Sequence, residues 1–198
     1  QILLEKLNVK QVIVGNDFRF GRDRKGNIEL LQQNQHFTTA LVPSVMIVDE
    51  RASSSRIRQA LAQSQFDLAQ QLLGRPYSMR GEVLHGEKIG RTIGVPTANL
   101  DPKRTVLPLS GVFVVEVKQG DQHYAGVANL GTRPTVNGVH PLLEPYLFDF
   151  NGDLYGQTLE VIFRHKLRDE AKFASFAEME QQIQRDIVDA KAWYQQHS

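Results

Sequence analysis

The chain has 198 residues, 41% hydrophobic and 23% charged, the make-up of an ordinary globular protein with room for one large or two small domains. It contains no cysteine, which excludes disulfides, thiolate metal sites and a cysteine nucleophile. Its formal net charge of +1 gives no general attraction for nucleic acid, so a bound anion has to be held by local groups. No apolar run approaches bilayer length and no signal segment opens the chain. The expectation is a cytoplasmic protein without nucleic-acid or membrane partners, and the start at Gln1 is read as missing upstream sequence.

Residues 2–7 read as a helix-like tail. Val12-Ile13-Val14-Gly15 is a short apolar run ending in glycine, as in buried parallel strands. Residues 26–35 read as a helix with Ile28, Leu31 and Leu30 inward, and residues 41–48 as a second strand. This alternation suggests the end of a doubly wound α/β sheet. Residues 53–74 read as helical, with Ile57, Ala60, Leu61 and Ser64 on one face. Leu68, Ala69, Leu72 and Leu73 continue the face beyond a break near Gln65, and Gly74 is the stop. Arg75-Pro76-Tyr77 leads into a new domain, because proline cannot continue a helix. The expected domains are therefore 1–74 and 75–198.

From Ser78 to Leu167 the period changes to two. Residues 111–117 form a strand, Gln119-Gly120-Asp121 its turn, and residues 123–130 the returning partner. Residues 142–150 and 158–167 flank Asn151-Gly152-Asp153, a hairpin signal. Short strands punctuated by glycine turns suggest a small antiparallel barrel. The last element is a helix with capping-box spacing at Ser175 and Glu178. Its apolar stripe is Phe176, Met179, Ile183, Ile187, Ala190 and Tyr194, suited to covering one side or mouth of the barrel.

Residues 81–99 concentrate chemistry. Gly81, Gly86, Gly90 and Gly94 let backbone N–H groups approach a phosphate. Lys88 and Arg91 can neutralise its oxygens. Thr97 and Asn99, two apart, project to one side of an extended segment. Their hydroxyl and amide oxygens are hard, neutral ligands that magnesium accepts when a nucleotide supplies the negative charge. There is no P-loop pattern. From spacing alone, a glycine-rich turn between two strands explains the segment equally well.

Gly90-Arg91 followed by Gly94-x-Pro96-Thr97-Ala98-Asn99 resembles the signature of riboflavin kinases. The resemblance continues in order through Gly111-Val112-Phe113, residues 126–135, Glu144 and residues 153–156. It ends with residues 166–173 and a helix carrying Gln182, Ile183 and Asp186. It implies a six-stranded antiparallel β-barrel with a C-terminal helix, hence an α+β chain. The implied reaction moves the ATP γ-phosphoryl group to the ribityl 5′-hydroxyl of riboflavin, giving FMN and ADP. Under it Thr97 and Asn99 contact Mg2+ and the phosphates, Gly86 and Gly90 lie along the nucleotide, and Glu144 is the catalytic carboxylate. Asn129, Thr132, Arg133 and Arg168 are expected at the flavin, with residues 129–134 as a loop. A surface turn and a salt-bridged arginine are the plainer alternatives. Pro141 and Pro145 bracket Glu144 where a polar, β-forming run is expected. A barrel that binds a flavin or nucleotide without catalysis is the competing function, and a nucleic-acid-binding barrel is disfavoured by charge.

Residues 15–21 and 53–58 resemble the FMN adenylyltransferase half of the bifunctional bacterial enzyme, a Rossmann-like nucleotidyltransferase, which implies that the full-length protein also makes FAD. Asp17, Phe18, Ser54, Ser55, Arg56 and Arg58 are the residues concerned. Arg56 and Arg58 in a first helical turn oppose the macrodipole unless an anion binds there. Asp17, Phe18 and Phe20 read equally as a structural turn with two aromatics entering the core. That half of the family also uses a His-x-x-His pattern, and the six histidines here are scattered singly. The expectation is that this chain lacks adenylyltransferase activity. The scatter also argues against a zinc site.

Overall fold

A computed structural model describes residues 2–47, 49–86, 89–104, 107–135 and 138–197, with the side chains of 89, 91 and 133–140 outside the description. The chain divides into two compact units, Gln1–Ala52 and Ser53–Ser198.

In the first unit a π-helical turn, Ile2–Lys6, precedes β1 (Gln11–Gly15), α1 (Ile28–Gln32) and β2 (Thr38–Val42). β1 and β2 pair in parallel, Val12 opposite Thr39 and Val14 opposite Leu41, a right-sized βαβ unit. Asn27 caps α1, its side-chain oxygen accepting from the Leu30 N–H at 3.0 Å. Val14, Ile28, Leu31 and Phe37 form the core, with Phe20 packed against it. Two expectations change. Ile13 is 63% exposed, so β1 buries one face rather than two, and Leu30 points outward at 53%. Residues 41–48 are not one strand: β2 ends at Val42, and β3 (Met46–Ile47) makes its own antiparallel pair with β4 (Glu50–Arg51). Pro43 separates them, having no N–H to extend a ladder.

The second unit opens with α2 (Ser54–Ala62) and α3 (Phe66–Leu73). The break between them contains Ser64 in a left-handed conformation, φ 57°. Gly74 ends α3 with φ 71°, the left-handed C-terminal stop that favours glycine. Next come β5 (Ser78–Leu84), the short α4 (Ile89–Thr92), β6 (Asn99–Leu100), β7 (Gly111–Gln119), β8 (Gln122–Thr135), β9 (Gly138–Leu147), β10 (Thr158–Arg168) and α5 (Phe176–His197). Six strands close a barrel in the order β10-β5-β6-β9-β8-β7. The interior is filled by Met79, Leu100, Phe113, Val115, Val117, Leu130, Leu143, Leu159, Val161 and Phe163, all nearly inaccessible. Phe66 of α3 stacks on Phe163 and meets Phe113 edge-on, so the helical pair packs with the barrel.

Over residues 111–115 β7 is apolar on both faces, because α5 covers the outside there. Val112, Val114, Val127, Phe148 and Ala190 form that second core, with Ile187, Trp193 and Tyr194 against it. The α5 cap is as expected in part: Ser175 Oγ accepts from the Glu178 N–H at 3.2 Å, while Glu178 reaches back to the Ala174 N–H. Phe176 lies outside the stripe, 51% exposed. The hairpin expected around Asn151-Gly152-Asp153 does not form. β9 pairs with β6 and β8, and β10 pairs with β5 and β7. These residues are instead a connection between strands that β5 and β6 hold apart.

Candidate functional site

Prolines flanking Glu144 do not interrupt β9. The register with β8 runs unbroken from Gly126↔Leu147 to Thr135↔Gly138. The Ala98 N–H donates to the Pro145 carbonyl at 2.9 Å, so position 145, and by alternation 141, turns its backbone toward β6. β6 pairs with β9 only at Leu100↔Leu143. The missing proline N–H groups therefore face the sparsely paired side, where they remove no rung of the β8 ladder.

Glu144 lies opposite Asn129 in that ladder. Both line a cleft of about 360 Å³ together with Gly90, Thr97 and Arg168. Five of the residues singled out in the sequence thus share one wall system, although they span residues 90 to 168. Sequence reasoning missed most of the cleft's apolar lining, which includes Val127, Tyr146 and Phe173. Asp186 also lines it. The signal for Asp186 was available: at three residues from Ile183 and four from Ala190 it sits on the apolar stripe of α5.

Arg168 ends β10. Its Nε and Nη2 donate to the Asp186 carboxylate at 2.9 and 2.8 Å, and its Nη1 donates to the Asp169 carbonyl at 2.9 Å. The salt-bridged arginine and the cleft arginine are the same residue. Residues 129–134, expected as a loop, are part of strand β8, held by pairing to β9. Thr132 is exposed and is not among the residues lining the cleft. Arg133 is on the same strand with its side chain outside the described residues, and Lys88 and the Arg91 side chain are outside them too.

Around the glycine-rich segment the backbone approaches closely. A Cβ at Gly86 would fall on the Asn99 amide. One at Gly90 would fall on the Val95 carbonyl and come 3.3 Å from Thr97 Oγ1. Gly94 has φ 73° and supplies the turn back toward β6. Gly81 is part of β5, its Cα against the Asp101 carbonyl, so it serves strand packing. Thr97 also lines a second cleft of about 280 Å³, formed with Pro96, Phe150, Asp153 and Tyr155. Tyr155 lies against His85 there, ring centroids 4.0 Å apart. Asn99 is not among the lining residues of either cleft. Among the described residues no group of three or more His, Cys, Asp or Glu side chains could hold a metal. The hydroxyl of Thr97, on the wall of both clefts, is a neutral oxygen of the kind magnesium accepts beside a polyphosphate, whereas the Asn99 amide packs against Gly86.

The adenylyltransferase-like residues fall in different units. In the first, Asp17 is paired with Arg51 at 2.7 Å, and this hydrogen bond holds its carboxyl below the usual range. Phe18 stacks on Phe20 at 5.8 Å but stays 38% exposed, so only Phe20 reaches the core. In the second, Ser53 caps α2, its Oγ accepting from the Arg56 N–H at 3.2 Å. Ser54, Ser55 and Arg58 are exposed in the first turns. One of the free helix N–H groups is thus satisfied by the chain itself.

The riboflavin kinase family model matches residues 73–194, and the FAD synthetase model matches residues 1–56. The bifunctional riboflavin kinase/FMN adenylyltransferase of Haemophilus influenzae is 46% identical over 98% of this chain and 64% of its own length. The protein of that name from Escherichia coli K12 is 44% identical over 98% of this chain and 63% of its own. The chain therefore spans a little under two thirds of these curated relatives. A crystal structure described as a macrolide-efflux protein from Streptococcus pneumoniae superposes with a TM-score of 0.69 at 40% identity, covering 88% of this chain and 58% of that one. Among the described residues no helix is long and apolar enough to cross a membrane. The closed six-stranded barrel, its C-terminal helix and the match over residues 73–194 agree: this chain belongs to the riboflavin kinase family.

Proposed function

We propose that the chain transfers the γ-phosphoryl group of ATP to the ribityl 5′-hydroxyl of riboflavin, yielding FMN and ADP. The observation that carries this reading is Thr97, which lines both clefts and sits beside the Ala98–Pro145 hydrogen bond that ties its segment to the strand of Glu144. A nucleotide in the smaller cleft and a flavin in the larger, apolar one would meet at Thr97, with Glu144 on the flavin side.

Phosphoryl transfer needs positioning and charge neutralisation more than covalent help. In this reading Glu144 accepts the proton of the attacking primary hydroxyl. Asn129, opposite it, orients the ribityl chain, and Arg168 holds a polar edge of the flavin. Thr97 and Asn99 are the protein's oxygen donors to Mg2+, and Gly86 and Gly90 give the phosphates access to backbone. Bound magnesium would supply positive charge at the phosphoryl oxygens. Lys88, Arg91, Thr132 and Arg133 remain assigned to ligand contact by family resemblance. Under this reading the reaction draws on ATP and so runs in the cytoplasm.

We place the family seam at residues 74 and 75, where helix gives way to barrel, although α2 and α3 pack with the barrel. In the whole protein the half represented by residues 1–56 would adenylylate FMN to FAD, an activity to which family resemblance assigns Asp17, Phe18, Ser54, Ser55, Arg56 and Arg58. The test is incubation of the chain with riboflavin, ATP and magnesium, followed by chromatographic detection of FMN and ADP. Formation of both in equal amounts supports the kinase. Riboflavin binding without FMN would leave the non-catalytic barrel instead.

A further inference from the structure

Asp186 is the only buried charged side chain among the described residues, 4% exposed. The α5 face around it presents Met179, Ile183, Ile187 and Ala190. An apolar residue there would serve packing as well or better, because a buried ion pair is seldom more stabilising than a well-packed hydrophobic replacement. The carboxylate needs another explanation, and its contacts supply one. It receives Nε and Nη2 of Arg168 at 2.9 and 2.8 Å, and Nε2 of Gln182 at 2.9 Å.

A guanidinium has five N–H bonds in a rigid fork. Asp186 takes two and the Asp169 carbonyl takes one. Among the described residues, one N–H on each terminal nitrogen has no acceptor. The Phe173 ring lies 5.8 Å from the guanidinium carbon, which fixes one face of the plane. An arginine side chain free in a cleft would lose much of its rotamer entropy on meeting a ligand. This one is already held.

We propose that Asp186, supported by Gln182, is a positioning residue for flavin recognition: it locks Arg168 in the cleft wall so that the two remaining N–H groups meet an acceptor on the flavin. The flavin is favoured over ATP because the walls around this arginine include Val127, Tyr146, Phe173, Met179 and Ile183, suited to a flat, largely apolar ring. The inference rests on the kinase reading above.

The experiment uses the full chain as wild type, Asp186→Asn, Arg168→Lys, Arg168→Ala and the Asp186→Asn/Arg168→Ala double variant. Riboflavin and ATP are varied independently, and melting temperature is recorded for each. Asp186→Asn and Arg168→Lys should each raise KM for riboflavin about tenfold or more, as loss of a charge-assisted fork would, with KM for ATP within about twofold. Adding Asp186→Asn to Arg168→Ala should change KM for riboflavin less than about twofold, because the carboxylate acts through the arginine. A purely structural aspartate would give additive losses and move both KM values, which overturns the proposal. So would an Asp186→Asn enzyme with unchanged KM for riboflavin. Should Asp186→Asn not fold, Gln182→Leu removes one donor to the carboxylate and should raise KM for riboflavin about threefold; no rise would count against the proposal. Riboflavin titration followed by flavin fluorescence repeats the comparison without turnover. A wild type that binds riboflavin but makes no FMN defeats the kinase reading, while loss of that binding in Asp186→Asn would still support the lock.

Discussion

The backbone N–H of Ala98 donates to the carbonyl of Pro145 at 2.9 Å, and this bond joins the neighbours of Thr97 and Glu144, the two residues with the central roles in the proposed reaction. It is available because proline at 145 gives up only an N–H on the side of β9 where β6 is short. The two prolines around Glu144 therefore shape the edge that receives the Thr97 segment.

If Glu144 is the proton acceptor, Glu144→Gln should lower kcat for riboflavin phosphorylation about 10²- to 10⁴-fold. KM for both substrates should stay within a few-fold, since the amide keeps the size of the side chain. Steady-state assay of FMN formation checks this. A variant within a few-fold of wild-type kcat would remove Glu144 from that role.

Gly86→Ala and Gly90→Ala each place a methyl group where the chain has no room, against the Asn99 amide and the Val95 carbonyl. The backbone must shift, and misplacement of about 1 Å at a transfer site can cost on the order of 10²-fold in rate. Both variants should lose kcat/KM for ATP by about that factor while riboflavin binding, followed by flavin fluorescence, is retained.

Thr97→Val and Asn99→Leu keep shape and remove an oxygen donor. The magnesium concentration for half-maximal activity should rise about tenfold or more in either variant. A magnesium titration at saturating ATP reads the shift, and an unchanged midpoint would place the ion elsewhere.

Tyr194 anchors α5 to the barrel by donating its hydroxyl hydrogen to the Val115 carbonyl at 2.6 Å. Burial, then the nearby Glu116 carboxylate, push its pKa from 10.0 up to about 12. The folded state thus keeps a proton that the unfolded chain has lost. This contribution is fully present below pH 10 and is lost as pH rises through about 12. Tyr194→Phe should cost about 1 kcal/mol near neutral pH by loss of the hydrogen bond. It should also flatten the fall in stability above pH 10, measured by denaturant unfolding as a function of pH.

Local order was legible in the sequence wherever the signal is itself local. The turn at Gly120 joins β7 to β8 as its residues require, Gly74 stops α3 with a positive φ, and Ser175 caps α5. The blocks from Gly90 to Asp186 identified the family because side-chain types in fixed order are a property of the chain alone. Strand partners were not legible in this way. Asn151-Gly152-Asp153 has the composition of a hairpin turn, yet β9 and β10 are separated by β5 and β6, since closure of the barrel depends on pairings between distant segments. Burial followed the same division: Ile13, Leu30 and Phe176 are apolar but exposed, while Asp186 is charged and buried. The sequence by itself determined most of the elements, the ends marked by local signals at Gly74, Gly120 and Ser175, and the residue types able to handle a phosphate and a proton. Only the tertiary structure decided that Thr97, Asn129, Glu144 and Arg168 share one cleft and that Asp186 fixes the last of them, because those contacts are made between strands and helices that no local propensity brings together.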